Sequence, residues 1–128
     1  MTMQEKMQHA ETRIFKAVFP GTTNHYDTLF GGTAMSLMDE VAFITATRFA
    51  RKKMVTVSSG QIDFTRPIPA GTIVELIGKV TEVGNTSLKV LVELYIEEMY
   101  SDSREKAITG TFSLVAIGDD KHPVPIHS

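Results

Sequence analysis

One carboxylate stands out among the residues able to do chemistry, because its neighbours are apolar. Residues 33–52 contain neither glycine nor proline and are rich in alanine, methionine and leucine, which predicts a helix. On a helical wheel at about 100° per residue, Asp39 falls inside a wide apolar arc, whereas Glu40 falls on the polar stripe. The residues beside Asp39 on that wheel are Met35, Ala42, Phe43 and Ala46. Burying a charge on a helix face that the sheet covers is unfavourable in free energy unless the charge has hydrogen-bond partners or a function. Asp39 is therefore a candidate functional residue, and a rim position with backbone hydrogen bonds is the alternative.

The loop before this helix adds two glycines, Gly31 and Gly32, at the expected helix N-terminus. Unpaired backbone N–H groups there, with the helix dipole behind them, suit a carbonyl oxygen that gains negative charge. A tight loop with glycine near the N-cap would have the same sequence. His25 lies in the same loop, but a loop histidine is more often a surface residue than a base.

Several other chemistries find no support in the 128 residues. The chain has no cysteine, and no His, Asp and Glu residues have convincing metal-ligand spacing, so we expect no metal site. It also lacks a serine nucleophile elbow, a phosphate loop and a dinucleotide fingerprint, so we expect no cofactor. A net charge of −2 argues against nucleic acid as a partner. Without a signal peptide or a membrane-spanning run, the expected location is the cytoplasm, away from membranes.

A change in the spacing of apolar residues along the chain indicates which helices and strands position these residues. Residues 12–19 form a short β-like run before the helix, and four runs of period two follow it. Those four runs are residues 54–64, 72–83, 87–99 and 106–117. Short connections predict a mostly antiparallel sheet, and the apolar arc predicts that this sheet curls around the helix. We expect one domain over residues 1–128, with residues 1–10 as a loose or short helical end.

The first run after the helix has a phase break. Val55 and Val57 have one parity, Ile62 and Phe64 the other. A β-bulge at residues 58–60 would return both pairs to the core face, and a plain bend of the sheet is the alternative.

The loop and the helix together resemble a known family. The segment NHYDTLFGG at residues 24–32, followed by Met35 and by MDE at 38–40, is similar to the signature of the acyl-CoA thioesterases of the hotdog fold. It is most similar to the short bacterial acyl-CoA thioester hydrolases and to each half of the cytosolic long-chain acyl-CoA hydrolases. The likeness extends over about residues 12–126, through the motifs at 55–57, 64–68, 71, 83–87 and 106–107.

The resemblance implies an α+β hotdog fold, in which a curled antiparallel sheet of about five strands wraps around one long central helix. It implies an acyl-CoA thioester hydrolase that releases free fatty acid and coenzyme A. In such an enzyme Asp39 is the general base or nucleophile, and Asn24 of the partner subunit positions the water or the carbonyl. Backbone amides of Gly31 and Gly32 hold the oxyanion. The expected assembly is a homodimer, built into a hexamer as a trimer of dimers.

Coenzyme A, as substrate and product, is expected to lie near the strand turns. The implied contacts are Ser58, Ser59, Arg66, Gly84, Thr86, Ser87 and Lys106. Two other functions stay open. A hotdog hydroxyacyl-thioester dehydratase would normally use a histidine, and only His25 is available near the site. A non-catalytic acyl-CoA sensor would keep the pocket without turnover.

Overall fold

The computed structural model describes residues 1–127, which form two α-helices and one six-stranded sheet. The helices are α1 (Met3–His9) and α2 (Gly31–Ala50). The strands are β1 (Thr12–Ala17), β2 (Lys53–Ser59), β3 (Asp63–Phe64), β4 (Thr72–Val83), β5 (Ser87–Glu98) and β6 (Arg104–Ile117). The sheet order is β1-β4-β5-β6-β2, the short β3 also pairs with β6, and all pairs are antiparallel. Neither helix in residues 1–127 has the length and apolarity of a membrane span.

Alternation of side chains explains which sheet face meets α2. In β5, Leu88, Val90, Val92 and Leu94 are at most 2% exposed. Residues of the opposite parity, such as Lys89, lie on the outer face. The inner face packs against the buried side of α2, formed by Ala34, Met38, Val41, Ala42, Thr45, Ala46, Phe49 and Ala50. The predicted layering of a curled sheet on one long helix is thus present.

Gly78 of β4 lets α2 approach the sheet closely. A Cβ atom at this position would overlap the Thr45 hydroxyl and would lie 2.9 Å from Val41 Cγ1. Only glycine leaves room for the helix at this crossing point.

The helix is less enclosed than its apolar arc predicted. The sheet covers one side of α2 only, and Met35 and Phe43 remain 39% and 45% exposed. Asp39 is also exposed, so its predicted place on a wrapped face is wrong for the single chain. The reason is geometric: a sheet of one chain forms half a barrel, and the opposite side of the helix stays open. Glu40 is exposed, as the wheel predicted.

The predicted strand 54–64 is divided in two. The register against β6 shifts between Thr56 and Ser58, so the bulge lies at Val57, just before the predicted residues 58–60. It does not return the valines to the core, since Val55 and Val57 are 39% and 57% exposed. Met54, which is 4% exposed, points inward instead.

The N-terminal residues take the second of their two expected forms, a short helix. A capping box starts α1: Glu5 N donates to Thr2 Oγ1 over 3.1 Å, and Thr2 N donates to the Glu5 side chain over 3.3 Å. Arg48 of α2 fixes the end of this helix, because its guanidinium donates to the carbonyls of His9 and Glu11.

Candidate active site

Asp39 lies midway along the open side of α2, where it meets the edge strand β2. Its Oδ1 atom accepts a hydrogen bond of 2.7 Å from Thr56 Oγ1. This donor fixes the orientation of the carboxylate, and no hydrogen bond within residues 1–127 engages Oδ2. An open groove surrounds the pair, lined by Gly32, Met35, Ser36, Asp39, Thr56, Val57, Ser58, Ser59 and Phe112. The arrangement presents a carboxylate oxygen that can take a proton from water or attack an electrophilic carbon.

Thr56 was not among the site residues predicted from the sequence. In the strand it stands between Val55 and Val57, the pair that was expected on the core face. Thr56 and Met54 share a parity, however, and Met54 is the buried residue of β2. That shared parity is the pattern that identifies Thr56 as a residue facing the helix.

Gly31 and Gly32 form the first turn of α2. The backbone hydrogen bonds of α2 begin with Ala34 N donating to Phe30 O, and the Phe30 side chain does not cap the helix. The first N–H groups of the helix therefore have no intrahelical acceptor. A Cβ atom on Gly32 would meet nothing within 4 Å, and one on Gly31 only Phe64 Cε1 at 3.9 Å. Neither glycine has a positive φ. Packing within the chain does not require glycine at either position, so both leave space over unpaired N–H donors.

Asn24 is held in the loop before α2 by its side-chain carbonyl. Asn24 Oδ1 accepts from Tyr26 N at 2.9 Å, Thr28 N at 3.2 Å and Thr28 Oγ1 at 3.1 Å. Three donors on one atom assign the oxygen and leave the NH₂ group as the outward end of the amide. Within residues 1–127 of one chain, no hydrogen bond joins Asn24 to Asp39.

The residues predicted to contact coenzyme A lie in three separate places. Ser58 and Ser59 line the Asp39 groove. Gly84 and Thr86 lie in the turn between β4 and β5, and Ser87 is the first residue of β5, where it pairs with Val115 of β6. Arg66 and Lys106 lie towards the other end of β6. That end is about 30 Å from Val115, at roughly 3.3 Å per strand residue. One chain therefore does not bring the turn residues and the two cations together.

Arg66 and Lys106 are both engaged by carboxylates. Arg66 Nη1 lies 3.0 Å from Glu105 Oε2, and Lys106 Nζ lies 2.9 Å from Glu93 Oε2. The hydrogen bond to Glu93 raises the pKa of the Lys106 ammonium, and the negative charge of Glu93 adds to the effect. Both cations are exposed, so an incoming phosphate would compete with these carboxylates for them.

Within the part of the chain that the structure describes, His25 has no partner that would make it a base. Its ring is exposed and contacts the Tyr26 ring at a centroid separation of 3.9 Å, with the ring planes tilted by 40°. No carboxylate in residues 1–127 is hydrogen-bonded to it. Within the same residues, no three His, Asp or Glu side chains are grouped as metal ligands would be.

A curled antiparallel sheet over one long helix, with a carboxylate on the helix beside the sheet edge, has the architecture of the hotdog fold. Residues 26–102 match the Thioesterase superfamily, and the chain belongs to that family. It is 39% identical over 118 residues to YkhA of Bacillus subtilis, named as an uncharacterized acyl-CoA thioester hydrolase. That match covers 91% of this chain and 69% of the relative.

Solved structures give the same fold. An acyl-CoA hydrolase from Staphylococcus aureus, in complex with butyryl coenzyme A, coenzyme A and coenzyme A disulfide, has a TM-score of 0.88 and 34% identity. The match covers 93% of this chain and 73% of that one. A hexameric thioesterase from Yersinia pestis has a TM-score of 0.83 and 27% identity, covering 90% and 93% of the two chains. The predicted hotdog fold is confirmed, and the predicted enzyme class is the one for which the relatives are named.

Proposed function

We propose that the protein hydrolyses acyl-CoA thioesters to a free carboxylic acid and coenzyme A. The observation behind this proposal is the Asp39 carboxylate, which Thr56 orients by a hydrogen bond. It lies in an open groove next to the N-terminus of α2, where the helix begins with two glycines. A thioester carbonyl in that groove would have a carboxylate on one side and unpaired backbone N–H donors near the other.

Two routes agree with this geometry. In the first, Asp39 takes a proton from a water molecule whose oxygen bonds to the carbonyl carbon. The C–S bond then breaks, and the proton passes to the thiolate sulfur. In the second, Asp39 itself attacks, the thiolate leaves, and water hydrolyses the resulting anhydride. A thiolate is a good leaving group, so neither route needs a strong general acid.

The proposed roles of Asn24 and Thr56 are supported by the S. aureus hydrolase. That enzyme has been solved as alanine variants of an asparagine, of an aspartate fifteen positions later and of a threonine seventeen positions after the aspartate. Asn24, Asp39 and Thr56 have the same types and spacing. We assign the Asn24 amide to the water or the carbonyl oxygen, to which its NH₂ group would donate.

The complete site would need two subunits. Asn24 and Asp39 are not hydrogen-bonded within one chain, and the three groups of coenzyme A candidates are spread along the sheet. The strand β2 pairs on one side only, and its residue Val57 is 57% exposed. An unpaired strand edge with apolar side chains favours association. Together with the hexameric relatives, these features support a homodimer assembled as a trimer of dimers.

The proposal is tested by incubating the protein with a panel of acyl-CoAs and a thiol reagent. Free thiol would indicate hydrolysis, loss of water from a hydroxyacyl thioester would indicate a dehydratase, and tight binding without turnover would indicate a sensor. We expect Asp39→Asn to remove at least about 99% of the thiol release, since a general base usually contributes 100-fold or more.

Glu40→Gln is the matched control, because it removes the adjacent carboxylate on the solvated side of the helix. We expect it to keep most of the activity. An Asp39→Asn variant with more than about a tenth of wild-type turnover would contradict the role of Asp39.

A further inference from the structure

The loop that precedes α2 is held closed by its own backbone. Thr23 and Leu29 form an isolated antiparallel bridge across the loop. Two further hydrogen bonds attach the loop to the segment before β4: Leu29 N donates to Ile68 O, and Ala70 N donates to Asp27 O, each over 2.8 Å. Because all these contacts use main-chain atoms, changing one side chain in the loop removes none of them.

Thr28 contacts Asn24 through both its backbone and its side chain. Its carbonyl oxygen accepts from Asn24 N at 2.8 Å, and its N–H and hydroxyl groups both donate to Asn24 Oδ1, at 3.2 and 3.1 Å. Tyr26 N donates to the same oxygen. Among these donors, the Thr28 hydroxyl is the one that a substitution can remove. Both side chains are half-buried, so water competes less for this contact than on an open surface.

The hydroxyl helps to determine which way the amide of Asn24 faces. An asparagine amide has an acceptor at Oδ1 and two donors at Nδ2, and a half-turn of the amide exchanges them. In the exchanged orientation the NH₂ group would face the donors of Tyr26 and Thr28, which would then lack this acceptor. A hydrogen bond accepted by Oδ1 also polarises the amide and strengthens the donor at its other end.

We propose that Thr28 is a positioning residue for hydrolysis, whose hydroxyl holds the Asn24 amide with its NH₂ group towards the attacking water or the thioester carbonyl. In this role Thr28 touches no reacting atom and acts through Asn24 alone. The inference rests on the proposed hydrolase function and on the role proposed there for Asn24.

The test compares Thr28→Val, which keeps the branched shape without the hydroxyl, with Thr28→Ser, which keeps the hydroxyl. Thiol release is measured with the acyl-CoA of the panel that the wild type hydrolyses fastest. We expect the valine variant to lose about three- to tenfold in kcat and equally in kcat/KM, as for one neutral hydrogen bond that acts in the transition state. Thr28→Ala should show the same loss, and serine should recover most of it. Circular dichroism and thermal melting would check folding.

Thr23→Val is the matched control, because it removes a hydroxyl from the same loop without changing a contact of the Asn24 side chain. Thr23 Oγ1 donates to Pro20 O over 2.6 Å, and Thr23 is half-buried like Thr28. Its kcat should stay near that of the wild type. An equal loss in the Thr23 and Thr28 valine variants would assign the effect to the loop as a whole and would overturn the inference. Wild-type kcat in Thr28→Val, or no recovery in Thr28→Ser, would overturn it as well.

Combining Thr28→Val with Asn24→Ala distinguishes positioning of the amide from a general structural role. If Thr28 acts through this amide, the double variant has the kcat of Asn24→Ala alone, because the group that Thr28 orients is absent. A further loss of about three- to tenfold in the double variant would overturn the inference while leaving the hydrolase function intact. Wild-type kcat in Asn24→Ala would also overturn it, since Thr28 would then act through a residue without a role. No thiol release from any acyl-CoA by the wild type would reject the proposed function itself.

Discussion

At the scale of single residues, the hydrogen bond from Thr56 to Asp39 determines how the carboxylate is presented. We expect Thr56→Val, which keeps the shape but removes the donor, to lower kcat by about 10- to 100-fold. A hydrogen bond to a charged group contributes roughly 1.5–3 kcal/mol, and each 1.4 kcal/mol corresponds to a factor of ten. KM should change little, and thiol release with thermal melting would measure both activity and folding.

Thr56→Ser is the control for this prediction, because serine retains the hydroxyl. It should recover most of the kcat lost in the valine variant. A valine variant with wild-type kcat would show that the 2.7 Å contact does not act in the reaction.

A substitution at Gly32 can distinguish an effect on stability from an effect on catalysis. Alanine at this position meets nothing within 4 Å and is up to about 1 kcal/mol better than glycine in a helix. We therefore expect Gly32→Ala to melt at the same or a higher temperature, yet to lose about tenfold or more of kcat/KM, as for a removed oxyanion donor. The reason is that the added methyl group would fill the space over the unpaired N–H groups.

Gly21→Ala provides the comparison for Gly32. A methyl group added at Gly21 would also enter open space, but this residue lies in the turn after β1, far from Asp39 in sequence. Both stability and activity should stay near wild type. Equal activity in the Gly32 and Gly21 variants would contradict a role for Gly32 in the proposed site.

Part of the candidate site rests on residues whose neighbours in the sequence are unusual. Asp39 among apolar residues and Gly31-Gly32 at a helix start are both visible in the sequence. The partnership with Thr56 was not, because Val55 and Val57 were expected on the core face, which would place Thr56 on the opposite face. The pairing of Arg66 with Glu105 and of Lys106 with Glu93 was equally hidden, since it depends on strand register.

At the scale of the elements, the packing of α2 on β4 depends on Gly78. We expect Gly78→Ala to destabilise the protein by about 1–3 kcal/mol, the usual cost of an added methyl group in a tightly packed core. The new Cβ atom would push Val41 and Thr45 of α2 away from the sheet. Chemical denaturation of both proteins would measure the difference in the free energy of unfolding.

Lys79→Ala is the adjacent control in the same strand. Lys79 is only partly buried, and its ion pair with Glu11 is long at 4.0 Å. A change of less than about 0.5 kcal/mol is expected for such a substitution. The same free energy of unfolding in both variants would contradict this prediction. It would mean that α2 can shift away from residue 78 without a loss of stability.

The elements themselves were the most predictable part of the molecule. The run predicted at residues 72–83 is β4, and α2 differs from its prediction by two residues at each end. The helix starts earlier because Gly31 and Gly32 adopt helical geometry despite their low propensity, and it ends at Ala50 because Arg51 is left-handed, with φ 53°. The enclosure of α2 was overestimated because a helical wheel shows which residues are apolar, but not how far a sheet of one chain can reach around them.

At the scale of the whole molecule, the proposed site can be tested by mixing subunits. Chains with Asn24→Ala and chains with Asp39→Ala form homodimers in which both sites are damaged. A mixed dimer has one site with both defects and one with neither, if the two residues come from opposite subunits. Random exchange makes about half of the dimers mixed, so roughly a quarter of the wild-type sites should return. Thiol release after mixing, with exchange followed by mass, would measure this recovery.

Activity equal to the average of the two parent proteins would contradict the two-subunit site. In that case Asn24 and Asp39 would serve within one chain, and every site would keep one defect. Light scattering of the wild type is the companion measurement, because the mass of one chain at micromolar concentration would exclude the proposed dimer.

The unpaired edge of β2 has a consequence for the kinetics of the enzyme. The strand that positions Thr56 beside Asp39 also has the free backbone groups at which a second copy would attach. Loss of the second copy would therefore uncover this strand and remove the Asn24 of that copy in a single event. Turnover per chain would then depend on dilution: it would be constant while the copies stay associated, and would fall with the first power of concentration below their dissociation constant. The amount of protein in a compartment would set not only how much enzyme is present but also what fraction of it works.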